Sequence, residues 1–417
     1  LDEYRPIITF ARNGGTTRER PIFWFATQTH DAEMTLQNLA TQSTQGDGVL
    51  KRVEYSWNRT WRGNTGSAEF IAFDAGTPYS AWRENAVIAV AGGYGTEAET
   101  VPRQLCTGYI ASGGLPRWVD ANEFSGAPRL SVEFGDYAAT RAEGDEAVDV
   151  RQLGGMTITQ FMLFSGNILG FAEASISVAA AIADQVIPLA NPLPSVPNFE
   201  VADGTAWEQV WSMVEEACDV RIGFDGNGLG SYFADAGPTA YVSGATIRDV
   251  LTEADPEDPD TQDSRTLIER VQHNQSSENR RNFLKATVIT AGAGEDDDVT
   301  NTFYYVESNA SRLADLAQTR RKALVSDNAD AYSGGLGNLV EQFEEEYTRA
   351  QRIIEWDQIA RPDIRPDDFV QVNVVNYIGL TTGYIYQVTD HDLTLDWGSG
   401  EASSHVVARL AYPLGAG

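Results

Sequence analysis

The chain has 417 residues, 42% of them hydrophobic, and sixty acidic residues against thirty basic ones give it a formal charge of −30. That length exceeds one ordinary core and predicts two to four domains, and the apolar content excludes wholesale disorder. A surface so acidic repels phosphate backbones and anionic lipid, which excludes stable nucleic-acid binding.

Only Lys51, Lys285 and Lys322 among the basic residues are lysine. A high-GC source explains arginine in place of lysine but not the acid excess. A high-salt environment explains both, because dense carboxylates keep a protein hydrated when salt screens their repulsion. The composition therefore reads as halophilic.

The start, Leu1 to Pro6, has no basic-then-apolar leader pattern, and the absence of Met leaves earlier processing open. The most apolar window, Phe171 to Ala190, contains Glu173 and Asp184 and runs into prolines. It reads as buried protein and not as a membrane span. Cys106 and Cys218 fall in separate predicted domains and read as free buried thiols.

In chain order, residues 1–115 predict a first β-rich domain. Ile7 to Phe10, Ile22 to Phe25, Val53 to Trp57 and Phe70 to Phe73 are short apolar or alternating runs between glycine-bearing turns. Asp31 to Ala40 has a weak helical pattern. Residues 116–240 predict an α+β middle domain. Its strand is Leu130 to Asp136, and Asn191 to Pro197 is an extended connector. Trp207, Val210, Trp211, Val214 and Cys218 share one helix face, and Thr205 with Glu208 has capping-box spacing. Val220 to Phe224, Asp225-Gly226-Asn227-Gly228 and Leu229 to Phe233 then read as strand, turn and strand, a helix docked on a hairpin.

Residues 241–417 predict a second β domain with inserted acidic loops and a helix. Glu253 to Asp260 is too proline-rich and acidic for regular structure. Phe283 to Thr290 and Thr302 to Val306 read as paired strands around the acidic tip Gly292 to Asp298. Ser311 to Leu324 reads as a helix. Beyond Arg361-Pro362, the turn Arg365-Pro366-Asp367-Asp368 launches Phe369 to Val374. Gly383 to Val388, Leu393 to Leu395 and His405 to Leu410 follow, rich in β-branched and aromatic residues at period two.

Little in the chain carries chemistry. Asp390-His391-Asp392 sits on a strand, where alternate side chains diverge, so it reads as a polar junction and not a metal site. Asp225 to Gly228 lacks the distal glutamate of a calcium loop and reads as a turn. Glu295, Asp296, Asp297 and Asp298 read as a solvated charge run. No nucleophile elbow, zinc-binding helix motif, Walker loop or dinucleotide fingerprint occurs, so no cofactor, metal or catalytic residue is assigned.

Three blocks carry a resemblance. The run Arg365 to Val388, residues 83–110 with Gly92-Gly93-Tyr94-Gly95, and Thr205 to Phe233 together resemble, in order and spacing, the tail-tip hub proteins of tailed viruses. The resemblance implies two tube-like antiparallel β-barrels plus a helix-hairpin subdomain. It implies a homotrimer at the virion tail tip that joins the tail tube and gates DNA passage, without enzymatic activity. Implied partners are a distal tail protein or the tube hexamer, a tape-measure protein and receptor-binding fibres. Within this frame Glu295 to Asp298 are expected to line the channel. The apolar stretch from Met156 to Ala190 is expected to contact a neighbouring protomer or tape-measure helices. A second reading is a carbohydrate-binding or glycan-hydrolysing β-protein using Trp24, Trp57, Trp61 and Trp82 with a carboxylate pair.

Overall fold

The computed structural model describes residues 10–11, 18–28, 34–38, 49–71, 87–95, 100–111, 117–119, 129–140, 153–187, 201, 204–218, 220–224, 232–236, 246–253, 267–276, 283–290, 299–306, 323–326, 351–373, 384–396, 399 and 401–411. Among them the fold is α+β and β-dominated. The first strands are β1 (Phe10–Ala11), β2 (Arg18–Gln28), β3 (Met34–Asn38), β4 (Val49–Asn58), β5 (Thr65–Ile71), β6 (Val87–Gly95), β7 (Thr100–Ile110), β8 (Arg117–Val119) and β9 (Arg129–Gly135). Helices α1 (Tyr137–Thr140) and α2 (Ile158–Ile168), strand β10 (Ile176–Val178), helix α3 (Trp207–Cys218), and strands β11 (Arg221–Gly223) and β12 (Tyr232–Asp235) follow. Next come β13 (Ile247–Glu253), β14 (Leu267–Ser276), β15 (Phe283–Thr290), β16 (Val299–Val306) and β17 (Ala323–Ser326). The last four are β18 (Gln351–Ile359), β19 (Phe369–Asn373), β20 (Tyr384–Asp396) and β21 (Glu401–Leu410).

The chain divides into two units, both discontinuous in sequence. One comprises Leu1–Glu143, Gly244–His273 and Ile354–Ala411; the other comprises Gly144–Ser243, Asn274–Ile353 and Tyr412–Gly417.

The first unit is organised by one continuous hydrogen-bonded path, β1-β2-β6-β7-β9-β5-β4-β20-β19-β13-β14-β18-β21. Because β21 also pairs with β20, the last six strands close into a barrel. Closure leaves these strands no free edge. The barrel is mixed and not purely antiparallel: β13 runs parallel to both β14 and β19. The other run, β2-β6-β7-β9-β5-β4, does not close on itself among the described residues.

Strand β20 joins the two runs by changing partners. Its first part, Tyr384 to Gln387, pairs with β19, and its second part, Asp390 to Asp396, pairs with β4. Thr389 is an extra residue in its register with β21. A bulge bends the strand and sharpens its twist, so one strand can leave one neighbour for another.

Alternation explains the core beneath this seam. Val53, Tyr55 and Trp57 of β4 and Leu393 and Leu395 of β20 are buried, while the residues between them face out. Gly66 of β5 lies between Tyr55 and Phe134 in the same cross-strand row. The rings of Tyr55 and Phe134 stack at 5.8 Å across it. A methyl group on Gly66 would sit 2.5 Å from Phe134 Cζ and 2.8 Å from the Glu54 carbonyl oxygen. Only glycine lets both rings and the neighbouring backbone come this close.

The second unit holds α2, α3 and two three-stranded sheets, β10-β12-β11 and β16-β15-β17. As its spacing predicts, α3 buries Trp207, Val210, Trp211, Val214 and Cys218, whose thiol is pushed up to about 12 by burial. Phe224 and Tyr232, on either side of the Asp225–Gly228 segment, stack at 5.3 Å, and Phe171 lies 5.2 Å from Tyr232. Strands β11 and β12 are antiparallel. The polar ends of these rings are satisfied in a chain. Trp211 Nε1 donates to Tyr232 Oη at 3.0 Å, Tyr232 Oη lies 2.9 Å from Ser165 Oγ, and Ser165 Oγ donates to the Phe161 carbonyl at 2.7 Å.

Three expectations are corrected. Residues 34–38 form strand β3 and not helix, because they pair along β2. Residues 323–326 form strand β17 beside β15, which removes the end of the expected 311–324 helix; the rest lies outside the described residues. The apolar window from Phe171 is not the buried segment expected: among its described residues, 171–187, most are exposed or half-buried. It contains a 3₁₀ turn, β10 and loops in which Ile182 and Ile187 are buried, while Ala172, Glu173, Ala174, Ala180, Ala181, Asp184 and Val186 are exposed. No helix among the described residues is long and apolar enough to cross a membrane.

Candidate functional surface

The outward residues of the seam build a charged sheet face. Glu133, Ser67, Glu54, Thr394 and Ser403 form one cross-strand row over β9, β5, β4, β20 and β21. The adjacent row reads Ser131, Glu69, Arg52, Asp396 and Glu401, and the row on the other side contains Thr65, Ser56, Asp392 and His405. Side chains in adjacent strands lie about 4.5–5.5 Å apart at Cβ, so these are direct neighbours. Hydroxyls soften the repulsion: Ser56 Oγ donates to Asp392, and Ser67 Oγ donates to Glu54 at 3.3 Å. Arg52 pairs with Glu54, and that hydrogen bond raises the guanidinium pKa. Apart from Arg52 and His405 the three rows present only carboxylates and hydroxyls, which offer a phosphate no cation to pair with.

Behind the seam, residues 360–366 run through the interior between β18 and β19. A buried irregular segment needs partners for its polar groups, and several are supplied here. Arg361 N donates to Ser404 Oγ at 2.8 Å, Arg365 N to Asp368 Oδ2 at 2.8 Å, and Asp367 N to the Val388 carbonyl at 2.8 Å. The Arg361 guanidinium is 2% exposed; Nε donates to Asp363 at 2.8 Å and Nη2 to Asp249 at 2.8 Å. Burial opposes ionisation of Asp363, but the guanidinium of Arg361 and then that of Arg248 outweigh it and hold the carboxyl well below its usual range.

His391 faces inward and Asp390 and Asp392 face outward, as strand alternation requires. Its Nδ1 lies 3.1 Å from the Ile364 carbonyl and its Nε2 lies 2.7 Å from Ser404 Oγ. The carbonyl can only accept, so Nδ1 carries the proton and Nε2 accepts from the hydroxyl. Burial pushes this imidazole down to about 4. A Ser–His pair at this distance is a nucleophile–base geometry, but both residues are at most 1% exposed, so no substrate reaches it.

Helix α2 presents a second surface. Thr157 caps it reciprocally with Gln160, a capping box that sequence reading did not single out. Ile158, Phe161, Met162, Ser165 and Gly166 are buried, while Leu163, Phe164 and Ile168 are 38%, 37% and 50% exposed. The helix contains no charged residue.

Glu295 to Asp298 and Asp225 to Gly228 lie outside the described residues, as does Trp82. Trp57 and Trp61 are buried at 2% and 1% exposure, so neither can stack on a sugar. The acidic rows were hidden from sequence reading because they align residues as distant as Arg52 and Asp396, 344 positions apart. Their one local signal is polar alternation in Arg52 to Asn58 and Asp390 to Asp396.

No family model and no curated protein sequence matches this chain. Solved structures do. A tail protein from Neisseria meningitidis MC58 superposes over 93% of this chain and 96% of its own, with a TM-score of 0.58 at 11% identity. The 43 kDa tail protein of prophage MuSo2 from Shewanella oneidensis does so over 94% and 98%, with a TM-score of 0.55 at 11% identity. The fold is that of phage tail proteins. A chain of the half-lidded Francisella PdpA–VgrG complex matches 94% of this chain with 58% of its own length, at TM-score 0.52 and 11% identity. At these identities the likeness establishes architecture and leaves the role to be argued from the surface.

Proposed function

We propose that this chain is the structural hub of a virus tail tip, a non-enzymatic homotrimer that joins the tail tube to the tip and passes DNA during infection. The observation that carries the reading is the end-to-end likeness to two tail proteins, covering nearly all of each chain. In this reading the β2-β6-β7-β9-β5-β4 run and the closed six-strand run each contribute a tube-like barrel and the second unit the middle domain. Three copies then give a pseudo-sixfold ring that continues a hexameric tube. A distal tail protein or the tube itself, a tape-measure protein and receptor-binding fibres are the partners.

The acidic sheet face fits a channel wall. DNA slides past carboxylates and hydroxyls without counterion release to hold it. The Glu295 to Asp298 tip belongs to the same lining in this reading. The charge-free α2 face supplies the contact with a neighbouring protomer, since copies of a chain with a charge of −30 meet most cheaply where neither brings carboxylates.

The test is solution mass in about 1 M salt and in dilute buffer, a contrast set by carboxylate screening. A species of three times the 45.5 kDa chain mass in high salt, reduced to monomer by Phe164→Gln, is the expected result. Loss of the trimer on dilution of salt supports the halophilic reading. Monomer in both buffers, with no ring formed on mixing with tail tubes, would sink the hub.

A further inference from the structure

His391 stands where four pieces of the first unit meet. Its own strand β20 has just left β19 for β4 at the Thr389 bulge. The ring packs 4.4 Å from Trp57 of β4. Nε2 accepts from Ser404 of β21, and Nδ1 donates to Ile364 in the buried segment. Ser404 Oγ in turn accepts from Arg361 N, so its only hydrogen is committed to His391. The arrangement works for a neutral imidazole alone.

We propose that His391 is an acid-operated latch holding β20 to β21 and to the buried 360–366 segment, closed while Nε2 accepts from Ser404 and opened when that nitrogen takes a proton from solvent. Protonation makes both ring nitrogens donors. Two hydrogens then point along the 2.7 Å Nε2–Oγ line, and the Ser404 hydroxyl must turn its hydrogen away from the ring, losing the bond it donates. The imidazolium must also be carried at zero exposure beside Trp57. Burial resists this step, so the latch holds at neutral pH and opens only in acid.

The charged groups around the ring are few. Asp363 and Asp392 favour the imidazolium and Arg361 opposes it. Trp57 from β4 and Ser404 and Val406 from β21 do not titrate, and Ser56 and Asn58 flank Trp57 without charge. The Ser56–Asp392 hydrogen bond links the same strand to β4, so a variant that removes this carboxylate serves as a control. This proposal does not depend on the hub reading.

The experiment is amide hydrogen exchange of the whole chain from pH 7 to pH 4, corrected for the intrinsic rate. We expect the Arg361 amide, which donates to Ser404, and the β20–β21 amides beside His391 to lose protection at least about tenfold near pH 4–5, while the β4–β5 ladder keeps it. His391→Gln, which cannot titrate, should hold that protection through the same range. Should His391→Gln fail to fold, Ser404→Ala decides. It removes the hydrogen bond to the neutral ring and should raise the midpoint by about half a pH unit or more. Asp392→Asn should lower the midpoint slightly by removing an attraction for the imidazolium. Equal loss of protection in wild type and His391→Gln overturns the latch. So does a transition abolished by Asp392→Asn, an unmoved midpoint in Ser404→Ala, or an Arg361 amide that stays protected at pH 4.

Discussion

Trp61 Nε1 donates to Asp367 Oδ2 at 3.1 Å, joining two residues 306 positions apart that both have left-handed backbone, with φ of 55° and 71°. Such φ values are costly for non-glycine residues, and aspartate tolerates them better than tryptophan. The same carboxylate accepts from Gln387 Nε2 at 3.4 Å and sits 3.7 Å from Arg59 Nε. Gln387 then accepts both Nε and Nη2 of Arg409. One aspartate thus ties the turn after β4 to the turn before β19 and to β20.

Asp367→Ala is expected to destabilise the protein by about 2–4 kcal/mol. It leaves the buried indole N–H of Trp61 without this acceptor and leaves the positive-φ backbone with no side-chain bond to compensate its cost. Asp367→Asn should cost about 1 kcal/mol, since the amide keeps an acceptor and tolerates the backbone. A double-mutant cycle with Trp61→Phe, read by urea denaturation, should return a coupling of about 1 kcal/mol or more; additivity would mean that the contact carries no energy.

Asp136 gives the stability an inverted pH dependence. It caps α1 and accepts from Gly63 N at 3.2 Å, Asn64 N at 2.9 Å and Ala139 N at 2.8 Å. Burial pushes it up to about 6, against the pull of those amides. The folded state therefore holds a proton that the unfolded state releases near pH 4. This carboxyl's stabilisation is complete below about pH 4 and is lost as pH rises through about 6, on the order of 3 kcal/mol across that window. The stability difference between wild type and Asp136→Asn should grow as pH falls from 7 to 4. A flat difference would mean that Asp136 titrates normally.

Gly66→Ala should cost at least about 3 kcal/mol, the upper range for overpacking, because the new methyl meets the backbone oxygen of Glu54 as well as two stacked rings. Gly166→Ala is the milder comparison. There the methyl meets the movable Ile176 Cδ1 at 2.4 Å, and the helix gains about 0.5–1 kcal/mol from losing glycine. Thermal melts of the two variants should differ by several degrees, with Gly66→Ala the lower; equal melts would show that the β5 row yields as readily as α2.

Local pattern was enough to place much of this protein. Period-two alternation located β4, β9, β15 and the C-terminal strands, and 3.6-residue spacing located α3 with each of its buried residues, because burial on one face leaves its period in the chain. The charge of −30 was equally legible, being a sum that no fold can alter. Residues 34–38 show where local pattern fails, since pairing with β2 overrode a weak helical preference. Tertiary structure alone decided which strands became neighbours: that β20 would trade β19 for β4 at Thr389, and that β21 would close a barrel through it. It also decided the environments of single groups. His391 and Asp392 are adjacent in sequence, yet one is sealed against Trp57 and Ser404 and the other stands on an acidic face. Burial and hydrogen-bond partners, which set their protonation, come from segments that sequence proximity does not reveal.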